Sequence, residues 1–200
     1  MRTVLVGNGP SAPQHAARID QCDRVIRLGV FPPGIAGNRW DVWASSFTVI
    51  KCTEAARIGM VPWPADGPQP IDVSGIPAGE IWVLADRPER RIAHTEGKKI
   101  GVYGKGCRKP LKHILRVEPS EGLVALAIAL AEKPEELAIV GFDATTKREP
   151  GWGYPEGVDV AWAPGHDFVH EKLMLTEWLD SGKFLGRFWP ATKTRIWWTL

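Results

Sequence analysis

Short apolar runs rich in β-branched and aliphatic residues recur along this chain, each bounded by glycine, proline or asparagine. Residues 3–6, 24–28, 41–44, 80–85 and 137–141 have the length and composition of buried strands. Helices are expected over 12–19, 47–58, 120–132 and 166–179. The third of these is apolar on nearly every face, and the fourth offers Leu173, Leu175, Trp178 and Leu179 as a core stripe. Strands alternating with helices predict an α/β fold with a mainly parallel sheet, in which 3–6 and 137–141 are central and buried. The stretch 62–77, with five prolines, and the Gly/Pro/Trp-rich stretch 152–164 read as linkers or long loops. Gly97, Gly101, Gly104 and Gly106 mark a mobile loop. One domain is expected over 1–182, followed by an aromatic and basic tail over 183–200.

Composition narrows the class. Two hundred residues suffice for one domain with a real core, and 44% hydrophobic with 24% charged residues is ordinary for a globular protein. Net charge is near +2, which gives no overall signal for a polyanionic partner. Charge is nevertheless uneven: ten Lys and Arg side chains between Arg87 and Arg116 face only Glu89 and Glu96. That block is either a solvated loop or a site for an anionic ligand or acceptor. Cys22, Cys52 and Cys107 are odd in number and widely spaced, which argues against a disulfide framework or a cysteine zinc site. With no leader and no run of 18 apolar residues, a cytoplasmic chain is expected.

Four places carry candidate chemistry. Gly7-Asn8-Gly9-Pro10-Ser11 follows the first strand, and a strand, a glycine turn and a helix start together aim N–H groups at one point that favours a phosphate. The dinucleotide fingerprint is incomplete, because Ala12 stands where its third glycine belongs, and there is no Walker lysine. Ser120 reads as the N-cap of the buried helix, a second anion site. Asp143 follows the last strand of the central pair, either at the ligand-binding carboxyl edge or as a cap for the next turn. His166 sits at the mouth of the final helix. With His170 it forms an i, i+4 pair, but H-E-x-x-H is absent, no third ligand is evident, and no metal is expected.

Three segments, in order, resemble the sialyltransferase family. Residues 7–11, 19–28, Pro33-Gly34 and 37–41 look like its large sialylmotif. Pro119-Ser120-Glu121-Gly122-Leu123 with Gly141-Phe142 resembles the small motif, and His166-x-x-x-x-Glu171 is similar to the very short motif. The pattern also occurs, more loosely, in bacterial and phage proteins of unproven function, including some found beside urease genes. Two positions depart from it: Gly29 stands where the large motif has Asn, and Glu121 where the small motif has Ser or Thr.

The resemblance implies a Rossmann-like domain and an inverting, metal-independent transfer from a CMP-activated sugar. That sugar is a co-substrate, and no other cofactor is expected. It would place the nucleotide near Gly7, Asn8, Gly9, Ser11 and Arg27, and also near Ser120, Glu121, Gly122 and Asp143. His166 would be the general base toward a glycan or other hydroxyl acceptor, and Glu171 would shape the site. Leaving-group charge would be met by helix N-termini and a hydroxyl or cation, with Tyr154 and the basic block over 87–116 as candidates. Two other classes fit the residues: a nucleotide-binding accessory protein without catalysis, and a phosphotransfer enzyme of the pterin pyrophosphokinase kind, which shares a G-x-G-P-S start. The tail over 183–200 is expected to touch a membrane surface, to stack on sugars or bases, or to pack back onto the domain.

Overall fold

The first strand, β1, runs Arg2–Val6 and is buried on both faces after its first residue, as a Thr-Val-Leu-Val run demands in a sheet covered on both sides. The computed structural model describes residues 1–9, 11–29, 34, 36–46, 70–85, 92–142, 168–181 and 194–198. Within them, β1 together with β2 (Arg24–Leu28), β3 (Val42–Ser45), β5 (Glu80–Val83) and β8 (Glu136–Val140) match the five expected strands to within two residues. Two short strands, β4 (Ile71–Asp72) and β6 (Ile92–Ala93), pair with each other. Adding β7 (Lys99–Val102) and β9 (Arg195–Trp198) completes a seven-stranded sheet in the order β7-β5-β3-β2-β1-β8-β9. All its pairings are parallel, and β1 and β8 both lie inside the sheet, though β2 is its middle strand and β8 stands next to the edge.

Each face of the sheet carries its own core. Val4 and Val6 point to one side with Ile19, Val25, Trp43, Ile81 and Val140. Leu5 points to the other, among Ile26, Val42, Trp82 and Leu137, where Leu111, Leu123 and Leu175 of three helices also lie. That alternation is the period-two geometry of a strand covered on both faces. The helix α3 (Glu121–Ala131) supplies eight consecutive buried residues, Leu123 to Leu130, so it is apolar all round because it is enclosed all round. Ser120 caps it, its Oγ accepting the Leu123 N–H at 3.2 Å.

Four expectations need correction. The helix over 12–19 begins as a 3-10 turn, Ala12–His15, and only α1 (Ala16–Asp20) is α-helical. Pro13 sits in that first turn, and the i→i−3 bonds Ala12 N–H to Gly9 O and Gln14 N–H to Ser11 O tighten it. From Lys99 onward the glycine-rich basic stretch is not a loop, since it forms β7 and then α2 (Gly104–Leu115), while Gly97 keeps a turn. Burial of Leu111 and Leu115 overrides the poor propensity of Gly104, Gly106 and Pro110. Of the core stripe expected on α4 (Phe168–Ser181), Leu175 is buried as expected but Leu173 is 66% exposed. Lastly, of the alternatives for the tail over 183–200, Arg195–Trp198 takes that of packing back onto the domain and extends it past residue 182: it lies along β8, with the Arg195 N–H bonded to Glu135 O at 2.9 Å. The helix expected over 47–58 and the loop over 152–164 lie outside the described residues.

At the amino edge of the sheet, Glu80 is only 5% exposed and is met by three donors. Arg24 reaches it at 2.7 Å, the Trp82 indole at 2.9 Å and Lys99 at 3.1 Å. Arg24 also contacts Glu132 at 3.2 Å. Burial raises the Glu80 pKa, but these donors outweigh it and hold the carboxyl below its ordinary value. Glu132 goes the other way: burial pushes it up despite Arg24.

Candidate functional site

After β1 the chain moves to β2 on one side, while β8 occupies the other. The strand order therefore reverses between β1 and β8, and in open α/β sheets the crevice at the carboxyl ends of such a pair is where ligands bind. Its floor is two glycines in backbone contact. The Gly7 N–H donates to Val140 O at 2.8 Å and the Gly9 N–H to Gly141 O at 2.9 Å. A Cβ on Gly7 would fall 2.4 Å from Gly141 O. One on Gly141 would fall 2.6 Å from Gly7 O and 2.9 Å from the Ala12 Cβ. Gly141 also adopts φ +72°, which favours glycine. This corrects the phosphate-cradle reading of the turn at two positions, because the Gly7 and Gly9 N–H groups are committed to β8. Ser11 is buried beside them and Asn8 half-buried.

The first turn of α3 forms the opposite wall. The Ser120 N–H donates to Glu171 Oε1 at 2.7 Å and the Ser120 Oγ–H to Glu171 Oε2 at 2.5 Å, so this carboxylate of α4, 4% exposed, grips both donors of the N-cap. Glu121 Oε1 accepts from the Ser46 N–H at 3.0 Å and from the Ser46 hydroxyl, at the exit of β3. Gly122 lies under the Phe142 ring, where a Cβ would come within 2.8 Å of it. The same ring stands 3.1 Å from the Cβ position of Gly7. One aromatic side chain therefore separates the two turns. The structure thus gathers Gly7, Ser120, Glu121, Gly122 and Glu171 at one edge.

The large-motif segment does different work. Asp20 accepts the Asn38 N–H at 2.9 Å and the Arg39 N–H at 2.9 Å. Burial raises its pKa, but these N–H donors, with Arg27 and Arg39, bring it below the ordinary value. Arg39 donates to the Cys22 and Asp23 carbonyls, and Asp41 accepts the Val25 N–H at 2.7 Å. Arg27, expected at the nucleotide, is 1% exposed. It donates to Ala36 O at 2.7 Å and Arg39 O at 2.9 Å and lies over the Trp40 ring. Burial pushes its pKa down to about 10, partly offset by Asp20, so it stays charged at neutral pH. These residues fasten the β1–β2–β3 connections to one another.

Ser46 is a site residue the sequence reading passed over, and Phe142, named there only within the small-motif resemblance, was given no role. A serine immediately after a buried parallel strand, at its carboxyl end, was the available signal for Ser46. Gly29 takes φ +59° at the exit of β2, and its carbonyl accepts the Trp43 indole N–H at 2.6 Å. His166, Tyr154 and Asp143 lie outside the described residues. His170 is exposed. Among the described residues no helix is long and apolar enough to cross a membrane.

No family model matches this sequence, and no curated protein does. Several solved structures resemble the fold, among them two sialyltransferases. One is a mammalian sialyltransferase in complex with Gal-beta-1-3GalNAc-ortho-nitrophenol: 16% identity, TM-score 0.54, covering 98% of this chain and 68% of that one. The other is the sialyltransferase CstII from Campylobacter jejuni in complex with the substrate analogue CMP-3FNeuAc: 12% identity, TM-score 0.53, covering 90% of this chain and 76% of that one. At such identities the likeness is one of architecture, and the chain has a sialyltransferase-like α/β fold.

Proposed function

We propose that this protein is an inverting, metal-independent glycosyltransferase that takes its sugar from a CMP-activated donor. The observation that carries the reading is the double hydrogen bond from Ser120 to Glu171. It joins the small-motif and very-short-motif segments at the switch-point crevice of a sialyltransferase-like fold. The nucleotide lies across that crevice, between the Asn8–Ser11 turn and the first turn of α3. His166, five residues before Glu171, acts as general base: it takes the proton of the acceptor hydroxyl as that oxygen attacks the anomeric carbon and CMP departs. An imidazole with an ordinary pKa near 6.5 suits this task at neutral pH. Glu171 is a positioning residue, setting α4 against α3, and Tyr154 meets charge on the departing CMP.

The test is release of CMP from CMP-sialic acid with a panel of hydroxyl acceptors, alongside calorimetric binding of CMP, UDP and ATP. CMP is expected to bind in preference to UDP and ATP. His166→Ala is expected to lower transfer by about 10²–10⁴ while leaving CMP affinity nearly unchanged. Full activity in that variant, or selectivity for ATP over CMP, defeats the proposal.

A further inference from the structure

The amino end of a long buried helix carries positive potential and attracts an anion. At α3 the chain supplies its own. The Ser120 N–H and hydroxyl are directed at Glu171, the Leu123 N–H at Ser120 Oγ, and the Glu121 carboxylate stands in the same turn. Ser46 holds Glu121 Oε1 with two donors, so this carboxylate is fixed in place and not swung into solvent. Two carboxylates thus flank one helical turn at the mouth of the crevice. A phosphate arriving there would be a third negative charge in the same place.

We infer that Glu121 is a specificity-determining residue: with Glu171 it keeps phosphate away from α3, so that the neutral nucleoside part of the ligand lies against this turn. A carboxylate accepts hydrogen bonds and donates none. The ligand groups it suits are hydroxyl and amino donors, which a nucleoside carries on its ribose and base. The inference rests on the nucleotide reading above. It explains a departure that reading leaves open, a carboxylate at the position where the resembling family has a hydroxyl.

Calorimetric titration of the full chain with CMP and with cytidine tests it, in the natural sequence, in Glu121→Gln and in Glu121→Thr. Removing the charge is expected to raise the affinity ratio of CMP over cytidine by about five- to tenfold, less at high salt. The threonine variant serves if the glutamine variant unfolds, and thermal unfolding of each establishes that it is folded. An unchanged or reduced ratio overturns the inference and leaves the nucleotide reading standing. Failure of the natural chain to bind either ligand overturns both.

Discussion

Glu171 and Ser120 lie 51 positions apart in sequence and meet through two hydrogen bonds, at 2.7 Å to the backbone N–H and 2.5 Å to the hydroxyl. Both carboxylate oxygens are engaged in a nearly solvent-free setting, so the pair couples α4 to the capped end of α3. Glu171→Ala leaves those donors without their acceptor and is expected to destabilise the fold by about 2–4 kcal/mol. Combined with Ser120→Ala in a double-mutant cycle, it is expected to show a coupling of about 1–3 kcal/mol by urea unfolding. Simple additivity would show that the two helices are not coupled through this pair.

Gly141 and Gly97 provide a matched comparison. Both have positive φ, +72° and +74°, but a Cβ at Gly141 meets Gly7 O and Ala12, whereas one at Gly97 meets nothing within 4 Å. Gly97→Ala is expected to cost about 1–2 kcal/mol, for left-handed backbone alone. Gly141→Ala adds the steric clash and should exceed it clearly, by about 1–3 kcal/mol. Equal losses in thermal unfolding would show that the β1–β8 exit has more room than its glycines imply.

Opposite pH behaviour is expected from Glu80 and Glu132. The folded pKa of Glu80 is lowered, so its contribution is full above the unfolded carboxylate value and fades as pH falls through the folded one. Glu80→Gln should therefore destabilise at pH 7 and flatten the acid limb of the stability profile. The folded pKa of Glu132 is raised, which favours the folded state only where the group is protonated and opposes it above. Glu132→Gln should leave stability at pH 7 equal or higher. A loss as large as that of Glu80→Gln contradicts this assignment.

A chain ending at residue 182 lacks β9 and leaves the β8 edge bare. Unpaired strand edges invite association. The shortened protein is expected to be less stable and to form aggregates detectable by light scattering. If it stays monomeric with an unchanged unfolding midpoint, 195–198 adds nothing to the sheet.

Five of the seven strands of the main sheet, and the capped buried helix, were legible because each is a local pattern: a β-branched run, or a serine before an apolar stretch. β7 and α2 were not, since Gly101, Gly104, Gly106 and Pro110 contradict the structure that burial of Leu111 and Leu115 imposes. β9 was missed because Arg-Ile-Trp-Trp reads equally as a surface segment. In the site, residue types were legible but partners were not. Nothing local indicates that Glu121 finds Ser46, 75 positions away, or that Arg27 turns to the carbonyls of Ala36 and Arg39.

The pairing of Arg2 with Glu136 and of Val6 with Val140 has a consequence in time. During synthesis β1 is made before either of its neighbours, yet one of the two emerges more than a hundred residues later. Until then the nascent sheet can grow only toward β2 and beyond, with an apolar strand bare on its other side and in need of shielding. The crevice cannot exist on the ribosome before residues 136–142 have been added. A ligand held in that crevice would therefore report that β1 has received its second partner.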